Sequence, residues 1–418
     1  VYGGLQDNGV WKGRNSYNPS SKWHEEGRYP YQRLLGGDGM RIEIDDDGSV
    51  YTGFQFGHYY RIDPNGKRTY IHPMQQLKEP PLRWNWQTPI LLSSHNQQIL
   101  YMGSHKLHRS MDRGETFKEI SDDLTNGPVK GDVSYGTLTD ISESPIKFGL
   151  IYTGSDDGKV FCTQDGGHSW QDCSAGLPKA MWIKRVVASQ HQESRVYAVL
   201  NGHTWDYFEA MLFCSDDYGK TWKQIGKNLP DESLNVLRED PNNANQLYLG
   251  SDAGLFVSFN EGQTFEPLGD LPVVPVHDLA IQKEQNDLIL GTHGRSIYKL
   301  SLQALNTLNT YKDSSLYLFT PEKVKYSANW GERSYNWEVM QPRINFSFVT
   351  PYTEELTIEI VQGSTLLFRE TIMPKRGYNS VSMRVSFQYG QDKYPQKGEY
   401  TLSIVQNFES ARASWIIE

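Results

Sequence analysis

The sequence predicts an all-β chain: a propeller over residues 1–300, a linker over 301–314 and a small β-sandwich over 315–418. Three observations carry that expectation. Aromatic residues make up 12% of the 418 and glycines number 37, while all hydrophobic residues together reach only 37%. Rings therefore supply much of the core, and such a composition favours short strands with tight turns. A second observation is a repeat near 48 residues, the length of four short strands with their turns, which is one propeller blade. The third is that this repeat stops at Leu300 and strict alternation begins.

The repeat is an apolar pair, usually closed by Tyr, followed by Gly two residues on. It falls at Tyr2, Tyr51, Tyr101, Tyr152, Tyr197 and Tyr248, with Ile289 in the last copy and Val199 in place of one Gly. The steps between copies are 49, 50, 51, 45, 51 and 41 residues. A second element keeps phase with it. Ser110–Phe117, Thr163–Trp170, Ser215–Trp222 and Ser258–Phe265 each read Ser/Thr-x-Asp-x-Gly-x-Thr/Ser-aromatic, with Asn260 where the others have Asp112, Asp165 and Asp217. A carboxylate there can accept loop N–H groups as in an Asx-turn, and the Gly supplies a positive φ.

These eight-residue turns resemble the Asp-boxes, or BNR repeats, of sialidases, sortilin-type receptors and xyloglucan-cleaving glycoside hydrolases. The phrases Gly4-Leu5-Gln6-Asp7-Asn8-Gly9 and Gly291-Thr292-His293-Gly294-Arg295 resemble large secreted bacterial proteins of sortilin-like BNR type. The resemblance covers residues 1–300. It implies an Asp-box propeller, an extracellular or cell-surface home, and boxes that are structural turns away from the ligand site.

Within one blade the pattern predicts an inner strand over Tyr135–Glu143, a second over Leu150–Gly154, a third over Lys159–Cys162 and an outer one over His168–Cys173. Cys162 and Cys214 hold the same place before their boxes, so both are expected in the core; Cys173 could approach Cys162 across the hairpin. The first copy begins at its second strand. The last has inner, second and third strands near Val276–Ile281, Leu288–Gly291 and Ser296–Leu300 but no outer one. A seven-blade ring would then lack two consecutive strands, which one upstream segment, an associated fragment or a second propeller could supply. The start at Val1, without Met or a leader pattern, fits that expectation.

Beyond the repeat, Ser301–Thr310 reads as a short helical linker. Alternation then marks strands at Arg343–Val349, Glu355–Val361, Leu366–Ile372, Ser380–Phe387, Glu399–Val405 and Ala411–Ile417, enough for a small sandwich. The segment Pro395–Leu402 resembles the Gly-x-Tyr strand of immunoglobulin-like bacterial modules, a resemblance that implies a bracing or sorting domain.

Composition narrows the chemistry. With 41 basic residues against 50 acidic and a net charge of -9, nucleic acid is a poor partner, since phosphate binding calls for a basic face. No apolar run approaches the 18 residues of a transmembrane helix. Three cysteines make neither a disulfide framework nor a zinc site, and Asp45-Asp46-Asp47-Gly48 lacks the spaced ligands of a calcium loop. No metal ligand set, phosphate loop or nucleophile elbow appears, so no cofactor is expected.

In a propeller, second-to-third-strand turns share an end with the loops between blades, and the boxes lie at the opposite end. The first end collects Gln6-Asp7-Asn8, His58, His105, Asp156-Asp157, the Asn201–Glu209 loop, Asp252 and His293-Gly294-Arg295. Inter-blade loops add Gly36-Gly37-Asp38-Gly39, Trp84-Asn85-Trp86, Lys130-Gly131-Asp132 and Trp182. Asp7, Asp38, Trp84, Trp205, His293 and Arg295 are the expected ligand-binding residues, because each combines charge or an indole with a turn at that end. The expected function is recognition of a glycan or a protein. The alternative is an inverting glycoside hydrolase, with Asp7 and Asp38 as its carboxylate pair. Asp112, Asp165, Asp217 and Asn260 are expected to be structural.

Overall fold

The computed structural model describes residues 1–14, 25, 27, 29–75, 77–268, 271–303, 305, 316–333, 338–389 and 393–418. The chain divides into two units, residues 1–284 with 288–300 and residues 285–287 with 301–418.

Among the described residues, the first unit is a succession of antiparallel sheets in which chain order equals spatial order. Five sheets have four strands. The first and last have three: Tyr2–Leu5, Gly9–Gly13 and Tyr31–Leu35 at one end of the series, Val276–Gln282, Asp287–Thr292 and Ile297–Ser301 at the other. The fourth sheet is representative, with strands Leu138–Glu143, Ile151–Ser155, Val160–Thr163 and Gln171–Asp172. The second and third strands fall one residue later than expected, and the inner and outer strands move further. The inner strand begins at Leu138 rather than Tyr135, because the Asp156 carboxylate accepts the N–H groups of Gly136 and Thr137 and holds them out of the ladder. The outer strand shrinks to two residues because box side chains, not ladder bonds, organise 163–170.

Apolar side chains pack in layers between consecutive sheets. Four of these layers take in a repeat tyrosine, Tyr51, Tyr101, Tyr152 or Tyr197, and these four and Tyr248 are all fully buried. A buried phenol needs a partner, and four of the five find a carboxylate: Tyr51 Asp45, Tyr101 Glu143, Tyr197 Glu239 and Tyr248 Asp240. The repeat glycine has an equally local cause. A Cβ at Gly154 would lie 2.5 Å from Ile183 Cγ2, and one at Gly250 2.8 Å from Val276, each on the next sheet's inner strand. At these positions close approach of the neighbouring sheet excludes a side chain.

The four boxes share one bonding scheme. Ser215 Oγ donates to Asp217 Oδ1 at 2.7 Å and accepts from Gly219 N–H at 2.9 Å, while Asp217 accepts the N–H and hydroxyl of Thr221 at 2.9 and 2.7 Å. The same bonds recur around Asp112 and Asp165. At Asn260 the amide NH₂ donates to Thr264 Oγ1 instead, at 2.9 Å, so the turn survives without the charge.

Cys162 and Cys214 do hold equivalent places, opposite Tyr152 and Tyr197 across their ladders. Cys162 is buried but Cys214 is only partly so, which corrects the expectation of two core thiols, and all three cysteines are free.

In the second unit, a sheet of Tyr317–Leu318, Arg343–Thr350 and Gly377–Arg384 and a sheet of Thr365–Ile372, Leu356–Gln362, Gly398–Gln406 and Glu409–Ile417 share one core around Trp415, Phe348, Ile358 and Leu402. Most of the expected helical linker lies outside the described residues.

Candidate functional site

At the end away from the boxes, Asp7 and Asp38 meet. Asp7 occupies the turn between the first two strands with φ 62°, and its N–H donates to Asp38 Oδ1 at 2.7 Å. Asp38 thus braces the loop that leads into the inner strand Ile42–Ile44. Trp84 departs from expectation. It is 8% exposed and packs in the core between the second and third sheets, with His72 tilted against it at 4.9 Å and His108 stacked on it at 5.7 Å. Residues 84–86 lie outside any strand, and there Trp84 and Asn85 are both buried while Trp86 is left outside. Trp86 is 44% exposed, edge-on to Phe56.

Trp205 is 42% exposed, on the 3₁₀ turn His203–Trp205, with Tyr207 and Phe208 also exposed beside it. His203 Nδ1 lies 3.7 Å from Asp252 Oδ2, and Asn235 donates its amide to Asp252 Oδ1 at 2.8 Å. His293 Nδ1 is 3.2 Å from His277 Nε2. Arg295 is exposed and engages none of the described residues. The fold therefore joins the Trp205 loop, Asp252, His277 and His293, whereas Asp7 and Asp38 form a separate pair.

Sequence reasoning missed what the inner strands contribute. Arg41 donates to Asp140 Oδ1 at 2.5 Å and to the Thr139 carbonyl at 2.9 Å. Arg185 and Arg238 converge on one oxygen, Asp278 Oδ1, at 3.5 and 3.3 Å. Bulges at Leu138/Asp140, Ile183/Arg185 and Leu234/Val236 recur near the starts of three successive inner strands. A bulge bends the strand and re-aims side chains, so these strands carry charge where alternation alone would put apolar residues. The available signal was charge in otherwise apolar strands, as in Trp182-Ile183-Lys184-Arg185-Val186-Val187 and Val276-His277-Asp278-Leu279.

The environment perturbs these groups strongly. Burial raises the Glu43 carboxyl to about 7, with Arg41 opposing. Burial and the neighbouring Arg185 lower Lys184 to about 8, and burial with Arg41 lowers Arg185 to about 10. Burial and Lys184 lower His277 to about 4, so it is neutral at pH 7. For Asp278 burial pushes upward, but Arg185, Arg238 and Arg41 outweigh it and hold the carboxylate ionised. Asp278 is walled in by protein yet 60% exposed, as a side chain lining open water would be.

Comparison with known proteins agrees on the repeat. Residues 212–225, which hold the third box, match the BNR-Asp box repeat. A xyloglucanase of Hypocrea jecorina (strain QM6a) is 29% identical over 146 residues, covering 31% of this chain and 17% of that enzyme. Among solved structures, the extracellular domain of a putative hybrid two-component system from B. thetaiotaomicron aligns over 100% of this chain and 53% of its own, at 11% identity and a TM-score of 0.49. An ancestral GH74 enzyme aligns over 82% of this chain and 47% of its own, at 12% identity and a TM-score of 0.44. Among the described residues, no helix is long and apolar enough to cross a membrane.

Proposed function

We propose that this chain is an extracellular or cell-surface recognition protein, a sortilin-like seven-bladed propeller that binds a glycan or protein partner at the end opposite its Asp-boxes. The observation that carries this reading is the cluster of exposed rings on the Asn201–Glu209 loop, Trp205 with Tyr207 and Phe208, beside the polar group of His203, Asp252, His277 and His293. Exposed aromatics next to fixed polar groups suit recognition, since rings supply contact area at small entropic cost. The second unit is read as an immunoglobulin-like module.

Similarity to a xyloglucanase over 146 residues supports a second reading, hydrolysis with Asp7 and Asp38 as the carboxylate pair. Inverting glycosidases hold their carboxylates about 6.5–9.5 Å apart with water between them. One Asp38 oxygen is already engaged by the Asp7 N–H, which suits a loop brace better than a general base. A panel of polysaccharides and peptides, scored for both binding and product release, separates the readings. Binding without release, lost in Trp205→Ala, supports recognition; release abolished by Asp38→Asn in a folded protein establishes hydrolysis.

A further inference from the structure

We infer that Cys162 and Cys173 are a redox-active pair, a dithiol that closes to a disulfide across the hairpin carrying the second Asp-box. The site lies apart from the proposed ligand end and does not depend on the recognition reading. Ten residues after its first Ser or Thr, each box is followed by a residue just past the outer strand: Ile120, Cys173, Ile225 and Leu268. In all four copies the N–H of that residue donates back to the third strand of its own sheet, to the carbonyls of Leu107, Val160, Leu212 and Leu255. Three of the four are aliphatic, as burial against the neighbouring sheet favours. The second box alone has cysteine there, and its facing strand carries Cys162.

Register brings the two thiols together. Cys162 opposes Gln171 and Cys173 opposes Val160, so the cysteines are diagonal neighbours on one face of the sheet. Both belong to the apolar layer between the fourth and fifth sheets, 3% and 2% exposed. Their side chains are hydrogen-bonded to each other, and both thiols are free in this structure.

Cys214 supplies the comparison within the same chain. It holds the place of Cys162 one repeat on, but Ile225 stands where Cys173 would be. The second thiol changes the chemistry. Hydrogen bonding from Cys173 holds the Cys162 thiol below its ordinary value, against burial and with help from the Lys147 charge. Burial pushes the unassisted Cys214 up to about 12. The thiolate is the nucleophile of disulfide exchange, so Cys162 is the sulfur that attacks and Cys173 the one that resolves.

The oxidant is a small-molecule disulfide such as oxidised glutathione. Cys162 gives up its proton and attacks one sulfur of the reagent; the reagent's S–S bond breaks, and one small thiolate leaves and takes up the proton. Cys173 then loses its proton and attacks the Cys162 sulfur of the mixed disulfide, expelling the second small thiol. The protein gives two electrons, the reagent becomes two thiols, and the new bond encloses the whole box Thr163–Trp170. Entry is through the outer strand, a two-residue edge whose opening is local.

The bond reaches beyond its own hairpin. The Cys173 carbonyl accepts the Trp222 Nε1–H at 2.7 Å, and a Cβ at Gly219 would lie 3.2 Å from Cys173 Sγ. Trp222 and Gly219 belong to the third box, so fixing Cys173 also steadies the turn of the next sheet.

The test equilibrates the protein with oxidised glutathione, in buffer and in urea below the unfolding transition, then blocks remaining thiols with iodoacetamide. Peptide mass mapping should find Cys162 joined to Cys173, and Cys214 alkylated. Closing a loop of this size should raise the thermal midpoint by about 5 °C, an effect reversed by dithiothreitol. Cys173→Ile, which copies Ile120 and Ile225, should abolish the bond and the oxidant's effect on the midpoint, leaving glutathione attached to Cys162. If Cys173→Ile does not fold, Cys173→Ala must give the same two losses, and Cys214→Ser should keep both the bond and the shift. Alkylation of both Cys162 and Cys173 under both conditions, a bond that includes Cys214, a disulfide-linked dimer, or a midpoint lowered by oxidation would each overturn the inference.

Discussion

One strand of the fifth sheet, Tyr207–Ser215, starts beside Trp205 and ends in an Asp-box, so its two ends allow a paired test. Ser215 is 2% exposed, and its hydroxyl accepts the Gly219 N–H while donating to Asp217. Ser215→Ala removes both bonds and leaves the buried Gly219 N–H unpaired. An unsatisfied buried donor costs about 1–3 kcal/mol, and the exposed Asp217 side of the turn adds little because water replaces the lost donor. The expected loss is therefore about 1–3 kcal/mol, read as a lower urea midpoint followed by tryptophan fluorescence. Ligand selectivity should not change. Trp205→Ala alters an exposed ring and should move stability by less than about 0.5 kcal/mol, yet weaken ligand binding about tenfold, the equivalent of about 1.4 kcal/mol. If Ser215→Ala changed selectivity at unchanged stability, and Trp205→Ala left binding intact, the assignment of the two ends would be wrong.

Three further outcomes follow from the same packing. Tyr248→Phe strips a buried hydroxyl that donates to Asp240 at 2.7 Å and accepts from Gln246 at 2.6 Å, and should cost about 1–3 kcal/mol; Tyr152→Phe removes a buried hydroxyl without a partner and should cost nothing in the same urea titration. Hydrogen bonds from Thr221 and Ser215 hold the Asp217 carboxyl down at about 2, against 3.8 unfolded, so its contribution is full above about 3.8 and fades as pH falls toward 2. Unfolding midpoints between pH 5 and 2 should decline less steeply in Asp217→Asn, which copies the natural Asn260 turn; identical slopes would contradict this. Gly57 has φ +79°, and a Cβ there would lie 2.8 Å from the Trp84 ring, so Gly57→Ala should lower the thermal midpoint and disturb the fluorescence of Trp84.

Local physics explains what the sequence by itself determined. The Ser/Thr hydroxyl and the Asp or Asn side chain of each box bond within their own eight-residue turn, so four in-phase copies sufficed to locate the turns. The Tyr-x-Gly spacing was legible because close contact with the next sheet's inner strand recurs at Gly103, Gly154 and Gly250. Alternation in the C-terminal hundred residues found six strands for the same reason: a pleated strand declares its two faces in its own residues.

Contacts between distant segments were decided only by tertiary structure. Which of Trp84 and Trp86 is buried depends on His72 and His108 closing over one of them, and period-two alternation is symmetric between the two. The Asp7–Asp38 bond joins residues 31 apart, and the convergence of Arg185 and Arg238 on Asp278 spans 93 and 40 positions. Nothing in Lys184-Arg185 or Arg238 considered alone separates a solvated charge from one held at the head of an inner strand. That distinction depends on bulges that turn the strand, on neighbours that remove water, and on the succession of sheets that brings three inner strands to one place.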